Sequence, residues 1–134
     1  MIRVLVVDDG PANRQALCNQ LEPFGECDTA EDGEEALAKV FAAYEEDRPY
    51  DLVCLDIEMP KKNGQETLED IRRIEDDRGI LLGDGVRVLM TTSVNSPKRI
   101  MQAFKEQCDG YLVKPVQKEK LLRQLDLLGI SVSS

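Results

Sequence analysis

The sequence predicts an α/β fold built on a parallel sheet. Short apolar runs alternate along the chain with longer segments whose apolar residues recur at helical spacing, and this alternation is typical of repeated β/α units. The run 52–55 is apolar without alternation, as expected of a central strand that is covered on both faces. At 134 residues the chain is long enough to bury a core of its own.

The first two β/α units occupy the amino-terminal third of the chain. A strand is predicted over 3–7, where polar turn residues end the apolar run. A helix is predicted from Asn13, because apolar residues follow it at helical spacing. A second strand over 25–29 leads into a helix opened by Asp32-Gly33. The apolar side of that second helix is expected to consist of Ala36, Leu37, Val40 and Phe41.

The last three units continue the alternation. The third strand, over 52–55, is followed by a helix whose apolar positions are Leu68, Ile71 and Ile74. Residues 76–85 hold three glycines and predict an unusually long loop before a fourth strand. That strand covers 86–91, and Pro97 suits the first turn of a fourth helix. The remaining elements are a fifth strand and a closing amphipathic helix, predicted over 111–113 and 118–128.

Composition narrows the classes of function. The five units account for residues 1–134, which predicts a single domain with no output domain. The net charge of −9 argues against nucleic acid as a partner, since phosphate backbones call for a basic face. No stretch approaches the length of a membrane span, so a cytoplasmic protein is expected. The chain has no histidine, which excludes histidine general bases and most zinc chemistry.

The four cysteines are Cys18, Cys27, Cys54 and Cys108, and they show no C-x-x-C spacing. Cys54 lies within an apolar run, and Cys18 lies on the apolar side of the first predicted helix. We interpret all four as small buried side chains in a reducing cytoplasm rather than as disulfides or a zinc site.

Polar side chains stand where the predicted strands end. Asp8-Asp9 follow the first strand, Asp56 the third, a run of hydroxyl residues the fourth, and Lys114 the fifth. In open parallel sheets ligands bind beyond the carboxyl ends of the strands, so these side chains are expected to converge. Each of them alone has an ordinary explanation, which is turn or capping chemistry for the aspartates and hydroxyl residues and solvation for the lysine.

The expected cluster favours a divalent cation and a phosphoryl group. Three neighbouring aspartates repel one another, and Mg²⁺ relieves this repulsion because it binds carboxylates together with waters and a phosphate oxygen. Lys114 adds a positive charge that suits phosphate, and Thr92 or Ser93 can donate a hydroxyl hydrogen bond. Asp56 is the natural nucleophile, since a carboxylate forms an acyl phosphate.

Five motifs occur in an order that resembles the response-regulator receiver domains of two-component systems. They are V-L-V-V-D-D at 4–9, L-V-C-L-D-I-E-M-P at 52–60, N-G at 63–64, L-M-T-T-S at 89–93 and G-Y-L-V-K-P at 110–115. The resemblance covers essentially the whole chain. It implies a stand-alone, chemotaxis-type bacterial receiver with a flavodoxin-like (βα)5 fold. That fold is a doubly wound five-stranded parallel sheet in the order 2-1-3-4-5, with helices on both faces.

The resemblance also implies roles for single residues. Asp56 would be the phosphoacceptor, and Thr92 and Lys114 the other catalytic residues. Thr92 and Tyr111 would form the conformational switch, and Lys114-Pro115 resembles the family's cis-proline pair. The implied cofactor is Mg²⁺, or Mn²⁺ in its place. Its implied ligands are Asp9, Asp56, the Glu58 backbone carbonyl and, mainly through water, Asp8.

The implied function is a signalling phosphoprotein that catalyses only its own phosphorylation and dephosphorylation at Asp56. Without histidine the chain needs an external donor: a histidine kinase, a histidine phosphotransfer protein or a small acyl phosphate. By resemblance the kinase docks near Asn13, Arg14, Leu17 and the loop after Pro115. The output is expected to be a protein target at the surface of the fourth helix, fifth strand and closing helix. A monomer or weak dimer is expected, with no nucleic acid or membrane contact.

Some positions depart from the family pattern. Gly10 stands where many members carry a further acid. We hypothesise that Glu58 alters the lifetime of the phosphoryl group, and the competing interpretation is a solvated surface carboxylate. Val94 cannot position an attacking water. The loop 76–85 is expected at the opposite edge of the sheet, where a partner contact is favoured over chemistry.

Two other classes of protein share part of this pattern. A haloacid-dehalogenase-like phosphatase also uses an aspartate nucleophile with magnesium, and Glu58 has the spacing of its second acid. The following Met59-Pro60 and the short chain speak against it. A flavodoxin-like cofactor binder would need a phosphate-binding loop rich in Ser, Thr or Gly after the first strand, where this chain has acid.

Overall fold

The computed structural model describes residues 1–59, 62–81, 83–93, 98 and 108–130. The strands are β1 (Ile2–Val7), β2 (Gly25–Ala30), β3 (Leu52–Asp56), β4 (Arg87–Thr92) and β5 (Gly110–Val113). The helices are α1 (Pro11–Leu21), α2 (Gly33–Glu45), α3 (Gly64–Asp77) and α4 (Lys118–Leu127). The label α4 thus belongs to the closing helix, and the fourth helix predicted from Pro97 lies outside the described residues.

The described strands form one parallel sheet in the order β2-β1-β3-β4-β5, which confirms the predicted fold class and strand order. In the register between β3 and β4, Asp56 is paired with Thr91. In the register between β4 and β5, Thr92 is paired with Val113. The carboxyl ends of β3, β4 and β5 therefore reach the same edge of the sheet.

Helices cover both faces of the sheet, and each face has its own core. One core packs α2 and α3 against the sheet and includes Val40, Leu55 and Ile71. The other packs α1 and α4 against the opposite face and includes Leu21 and Leu125. Every residue of β3 is buried, as its unbroken apolar run predicted. No helix of the described residues is long and apolar enough to cross a membrane.

Two details of the helices differ from the prediction. The first helix begins at Pro11 rather than Asn13, because a proline at the first helical position loses no hydrogen bond there. Phe41 was expected on the buried side of α2 and is 51% exposed. The buried stripe of α2 runs through Ala36, Val40 and Ala43, which leaves Phe41 beside it. The Arg78 guanidinium lies 5.3 Å from the centre of the Phe41 ring.

The start of α3 is fixed tightly against the end of β3. The Asn63 side chain accepts a hydrogen bond from the Glu66 amide, and the Glu66 side chain accepts one from the Asn63 amide, which together form a capping box. A Cβ atom at Gly64 would lie 2.3 Å from the Asp56 carbonyl oxygen. Only glycine allows this approach, so the N-G dipeptide sets α3 directly beside Asp56.

A buried polar network, made of Tyr44, Arg72, Glu75 and Asp109, holds the amino-terminal edge of the sheet. Glu75 is 4% exposed and accepts hydrogen bonds from the Tyr44 hydroxyl at 2.5 Å and the Val86 amide at 2.7 Å. Arg72 bridges the carboxylates of Glu75, at 2.7 Å, and Asp109, at 3.0 Å. Through these contacts α3 is linked to α2, to the loop that follows α3 and to the residue before β5.

Tyr50 forms a second phenol–carboxylate contact near the same edge. It lies two residues before β3 and donates its hydroxyl to Asp28 Oδ2 at 2.7 Å. The Arg3 guanidinium lies 4.7 Å from the centre of the Tyr50 ring. Burial, followed by the hydrogen bond to the carboxylate, raises the pKa of both Tyr44 and Tyr50 above the ordinary range. Both phenols therefore stay protonated and keep donating these bonds.

Candidate functional site

Three aspartates meet at the carboxyl edge of the sheet. Asp8 follows β1 and is 5% exposed, Asp56 ends β3 and is 2% exposed, and Asp9 is open to solvent. One carboxylate oxygen from each lies within 4.8 Å of those of the other two. The Gly10 amide donates to Asp8 Oδ1 at 2.8 Å and orients that side chain. The structure thus brings together the three carboxylates that the strand-end pattern singled out.

Lys114 contacts both buried carboxylates. Its Nζ lies 2.7 Å from Asp8 Oδ2 and 3.1 Å from Asp56 Oδ2. Burial alone would lower the pKa of Lys114, but hydrogen bonds and charge from Asp8 and Asp56 outweigh burial and hold the pKa above its ordinary value. The Lys114 amide donates to the Thr92 carbonyl at 2.7 Å, and the Lys114-Pro115 bond is cis, as the resemblance implied. The ammonium group is therefore charged and fixed in position.

One lysine does not neutralise this cluster. Burial is the largest influence on Asp56 and raises its pKa from 3.8 to about 6, and the charge of Asp8 adds to the rise. Lys114 and the Glu58 amide act in the opposite direction without cancelling it. The carboxylate thus remains costly to ionise until a further cation arrives. Hard oxygen donors of this kind fit Mg²⁺, with Asp8, Asp9 and Asp56 as the residues that would hold it.

A contact between Glu58 and Thr92 was not foreseen from the sequence. Thr92 is fully buried, and its hydroxyl donates to Glu58 Oε1 at 2.5 Å. The Glu58 amide donates to Asp56 Oδ1 at 3.1 Å, so this residue touches both the predicted acceptor and the predicted switch hydroxyl. Its position two residues after Asp56 indicated that Glu58 lies near the site, but it did not indicate the direction of the side chain. The Glu58 carbonyl stays a predicted metal ligand.

Other predicted residues lie further from the carboxylates or in different surroundings. Tyr111 is half-buried against the α2/α3 core, and Ser93 is exposed. Leu17 is 7% exposed and packs into the core between α1 and the sheet, so its side chain does not itself present a docking surface. Arg14 donates to the Asp8 carbonyl at 2.7 Å and braces the site from α1. Val94 lies outside the described residues.

A cavity of about 120 Å³ opens beside the site between α1 and the end of β5. Its walls include Asp8, Lys114, Pro115, Asn13 and Gln20. The cavity therefore lies next to two members of the cluster, Asp8 and Lys114.

Comparison with known proteins gives a consistent result. The family model of the response regulator receiver domain matches residues 4–126. The chain is 35% identical to chemotaxis protein CheY of Halobacterium salinarum over 121 residues, which is 90% of each protein. It spans about half the length of several other curated regulators that it matches.

Solved structures agree with the family match. The response regulator TrrA of Thermotoga maritima, solved with Mg²⁺ and BeF, has a TM-score of 0.76 at 36% identity, covering 96% of this chain and 99% of that one. The CheX–CheY–BeF3–Mg²⁺ complex of Borrelia burgdorferi has a TM-score of 0.82 at 27% identity, covering 97% and 90%. Motif order, sheet topology and family match coincide over the same residues. The chain belongs to the response regulator receiver domain family.

Proposed function

We propose that the chain accepts a phosphoryl group on Asp56 in a Mg²⁺-dependent reaction and signals through protein contacts. The contact of one lysine with two buried carboxylates supports this most directly, because Lys114 touches both Asp8 and Asp56 at the edge where Asp9 joins them. A lysine placed there serves as a point charge for phosphate. A bound Mg²⁺ would supply the remaining positive charge for the developing phosphoryl transition state.

Each residue of the site has a separate role in the proposed phosphoryl transfer. An oxygen of Asp56 attacks the phosphorus in line, forming an acyl phosphate while the bond from phosphorus to the donor breaks. The Glu58 amide, bound to Asp56 Oδ1, and Lys114, next to Oδ2, hold the carboxylate in one orientation. The Thr92 hydroxyl then leaves Glu58 and donates to the new phosphoryl group. That exchange would be the step that links chemistry to conformation.

The proposed partners are a protein that donates the phosphoryl group and a protein target that binds the phosphorylated domain. A histidine kinase or histidine phosphotransfer protein would supply the phosphoryl group near the exposed Asn13 and the cavity beside α1. A protein target would bind the phosphorylated domain; the Borrelia structure is a complex of CheY with CheX. We place the chain in the cytoplasm as a monomer or weak dimer acting as a single receiver unit.

The family match favours the receiver over the haloacid-dehalogenase alternative. In a phosphatase of that kind the second acid must be available to a leaving group. Here the side chain of Glu58 accepts the Thr92 hydroxyl at 2.5 Å. That contact supports a switching role for Glu58 rather than proton transfer to a substrate.

The proposal is tested by incubating the protein with acetyl phosphate, with Mg²⁺ or with EDTA. We expect the mass of one added phosphoryl group in Mg²⁺ and none in EDTA. Reduction of the acyl phosphate with borohydride followed by peptide mapping should locate the label at Asp56. A label on Asp8 or Asp9, or equal labelling in EDTA, would contradict the proposal.

The contact between Glu58 and the Thr92 hydroxyl can be tested by substitution. Because Glu58 holds the Thr92 hydroxyl through a charge-assisted hydrogen bond, Glu58→Gln should release it more easily while keeping the side-chain shape. We expect the affinity for beryllofluoride with Mg²⁺ to rise by about 3–10-fold, which corresponds to a hydrogen-bond difference of about 1 kcal/mol. The lifetime of the acyl phosphate should change as well.

Titration calorimetry and a dephosphorylation time course measure the two quantities. Glu22→Gln is the matched control, since Glu22 is exposed just after α1. Unchanged affinity together with an unchanged dephosphorylation rate in Glu58→Gln would show that the contact has no role in switching.

A further inference from the structure

Cys18 and Cys27 lie side by side although the sequence pattern gave no sign of it. Their Sγ atoms are 2.6 Å apart. Both residues are half-buried, whereas Cys54 and Cys108 are buried. The expectation of four inert buried thiols therefore fits Cys54 and Cys108 better than it fits this pair.

Regular secondary structure holds both sulfur atoms in place. Cys18 lies within α1, and Cys27 lies in β2, the edge strand of the sheet, where it is paired with Val4. The turn between α1 and β2 is fixed by hydrogen bonds from the Phe24 amide to the Leu21 carbonyl and from the Ile2 amide to the Phe24 carbonyl. The two sulfurs meet because the helix and the strand are docked, and not through a loose loop.

We propose that Cys18 and Cys27 form a dithiol that a peroxide-class oxidant closes to a disulfide. The Cys18 thiolate attacks one peroxide oxygen, the O–O bond breaks, and Cys18 sulfenic acid and water form. The Cys27 sulfur then attacks the Cys18 sulfur, the S–O bond breaks, and a second water leaves as the S–S bond forms. Two electrons and two protons pass from the thiols, and one peroxide becomes two waters.

The surroundings of Cys27 fit the order of these steps. Burial raises the pKa of the Cys27 thiol above its ordinary range, and the hydrogen bond and charge of Cys18 raise it further. The raised pKa keeps the proton on the Cys27 thiol, which fits its place in the second step, where that proton leaves with the water. The second step needs little movement, because the two sulfurs are already in contact.

A metal site fits this pair less well. Tetrahedral thiolate sites use four protein ligands, and two thiols supply half of them. In the part of the chain that the structure describes, the group of three potential ligands that come close together is the acidic one at Asp8, Asp9 and Asp56. Closure to a disulfide uses only the two residues present.

The disulfide would close a ring from residue 18 to residue 27 and so restrict the unfolded chain. For a ring of about ten residues we expect the midpoint of thermal unfolding to rise by about 5–10 °C. The bond would also fix α1 to the edge strand. Dithiothreitol should reverse both effects, since attack of a thiolate reopens a disulfide.

The test treats the native full chain with hydrogen peroxide and counts thiols after denaturation. We expect the four thiols of the reduced protein to fall to two, with a mass lower by two hydrogens. Peptide mapping without reductant should recover one linked pair, Cys18 with Cys27. Cys108→Ala, the control, should still lose two thiols, whereas Cys18→Ser and Cys27→Ser should lose the linked pair and the thermal shift.

Wild-type peptide mapping decides the matter even where a serine variant folds poorly. Four remaining thiols after a dose that fully oxidises free dithiothreitol would overturn the proposal. A linked pair that includes Cys54 or Cys108, or links only between separate chains, would overturn it too.

Discussion

Asp56→Asn is expected to abolish phosphoryl uptake from acetyl phosphate and, at the same time, to make the metal-free domain more stable. The carboxylate is buried next to Asp8, and its pKa of about 6 means that ionisation at neutral pH costs free energy of folding. Asparagine keeps the shape without the charge. We expect the free energy of unfolding at pH 7 to rise by about 1–2 kcal/mol.

The pH dependence has a definite sign. The folded-state pKa of Asp56 is raised, so the folded domain binds this proton more tightly than the unfolded chain. Its contribution to stability is fully present below the ordinary pKa of 3.8 and is lost as pH rises through about 6. The advantage of Asp56→Asn over wild type should therefore grow between about pH 4 and pH 6 and stay level above that range.

Urea unfolding in EDTA at several pH values measures this difference. Asp77→Asn is the matched control, because Asp77 is an exposed residue at the end of α3. A variant Asp56→Asn that is no more stable than wild type at pH 7 would show that the cluster is not electrostatically strained. Labelling of that variant by acetyl phosphate would remove Asp56 from the role of acceptor.

Arg72→Met should cause the largest loss of stability, about 3–5 kcal/mol, through the network at the opposite edge of the sheet. Methionine keeps much of the aliphatic stem but leaves the buried Glu75 carboxylate without its cation. The side chains of Arg72 and Glu75 are 14% and 5% exposed, so water replaces the lost partner only in part. The measurement is the midpoint and slope of denaturant unfolding.

Arg73→Met is the matched control on the same helix. Arg73 is 68% exposed and pairs with Asp70 at the surface, so its loss should cost no more than about 1 kcal/mol. Adding Glu75→Gln to Arg72→Met should recover part of the lost stability, since the uncompensated charge is then gone. Equal losses for Arg72→Met and Arg73→Met would contradict a buried network.

The sequence patterns predicted the sheet and the converging carboxylates because both depend on chain direction alone. In parallel β/α units the carboxyl ends of the strands share one edge, so Asp8, Asp56 and Lys114 could be assigned to it from their positions. Helical spacing places Glu75 on the buried side of α3, seven residues after Leu68 and four after Ile71, but a carboxylate there was not expected to be buried. Its partners, Tyr44 and Val86, are distant in sequence and come close only after folding.

The contacts missed at the site have a similar cause. Whether Glu58 reaches Thr92 is decided by side-chain rotamers at the end of β3 and β4, which no spacing rule specifies. The approach of Cys18 to Cys27 depends on how α1 docks on β2, and neither residue belongs to a recognised motif. Strand order thus predicts which residues converge, whereas the contacts of their side chains depend on tertiary packing.

The two phenol–carboxylate contacts have a spectroscopic consequence. The chain has three tyrosines and no tryptophan, so its near-ultraviolet absorbance and circular dichroism come mainly from Tyr44, Tyr50 and Tyr111. Tyr44 and Tyr50 are bound to Glu75 and Asp28, close to the edge away from Asp56, and their bands should stay constant. A change in the tyrosine bands when beryllofluoride binds would therefore report on Tyr111, and if Tyr111 moves as proposed, the domain would carry its own optical probe of switching without any introduced label.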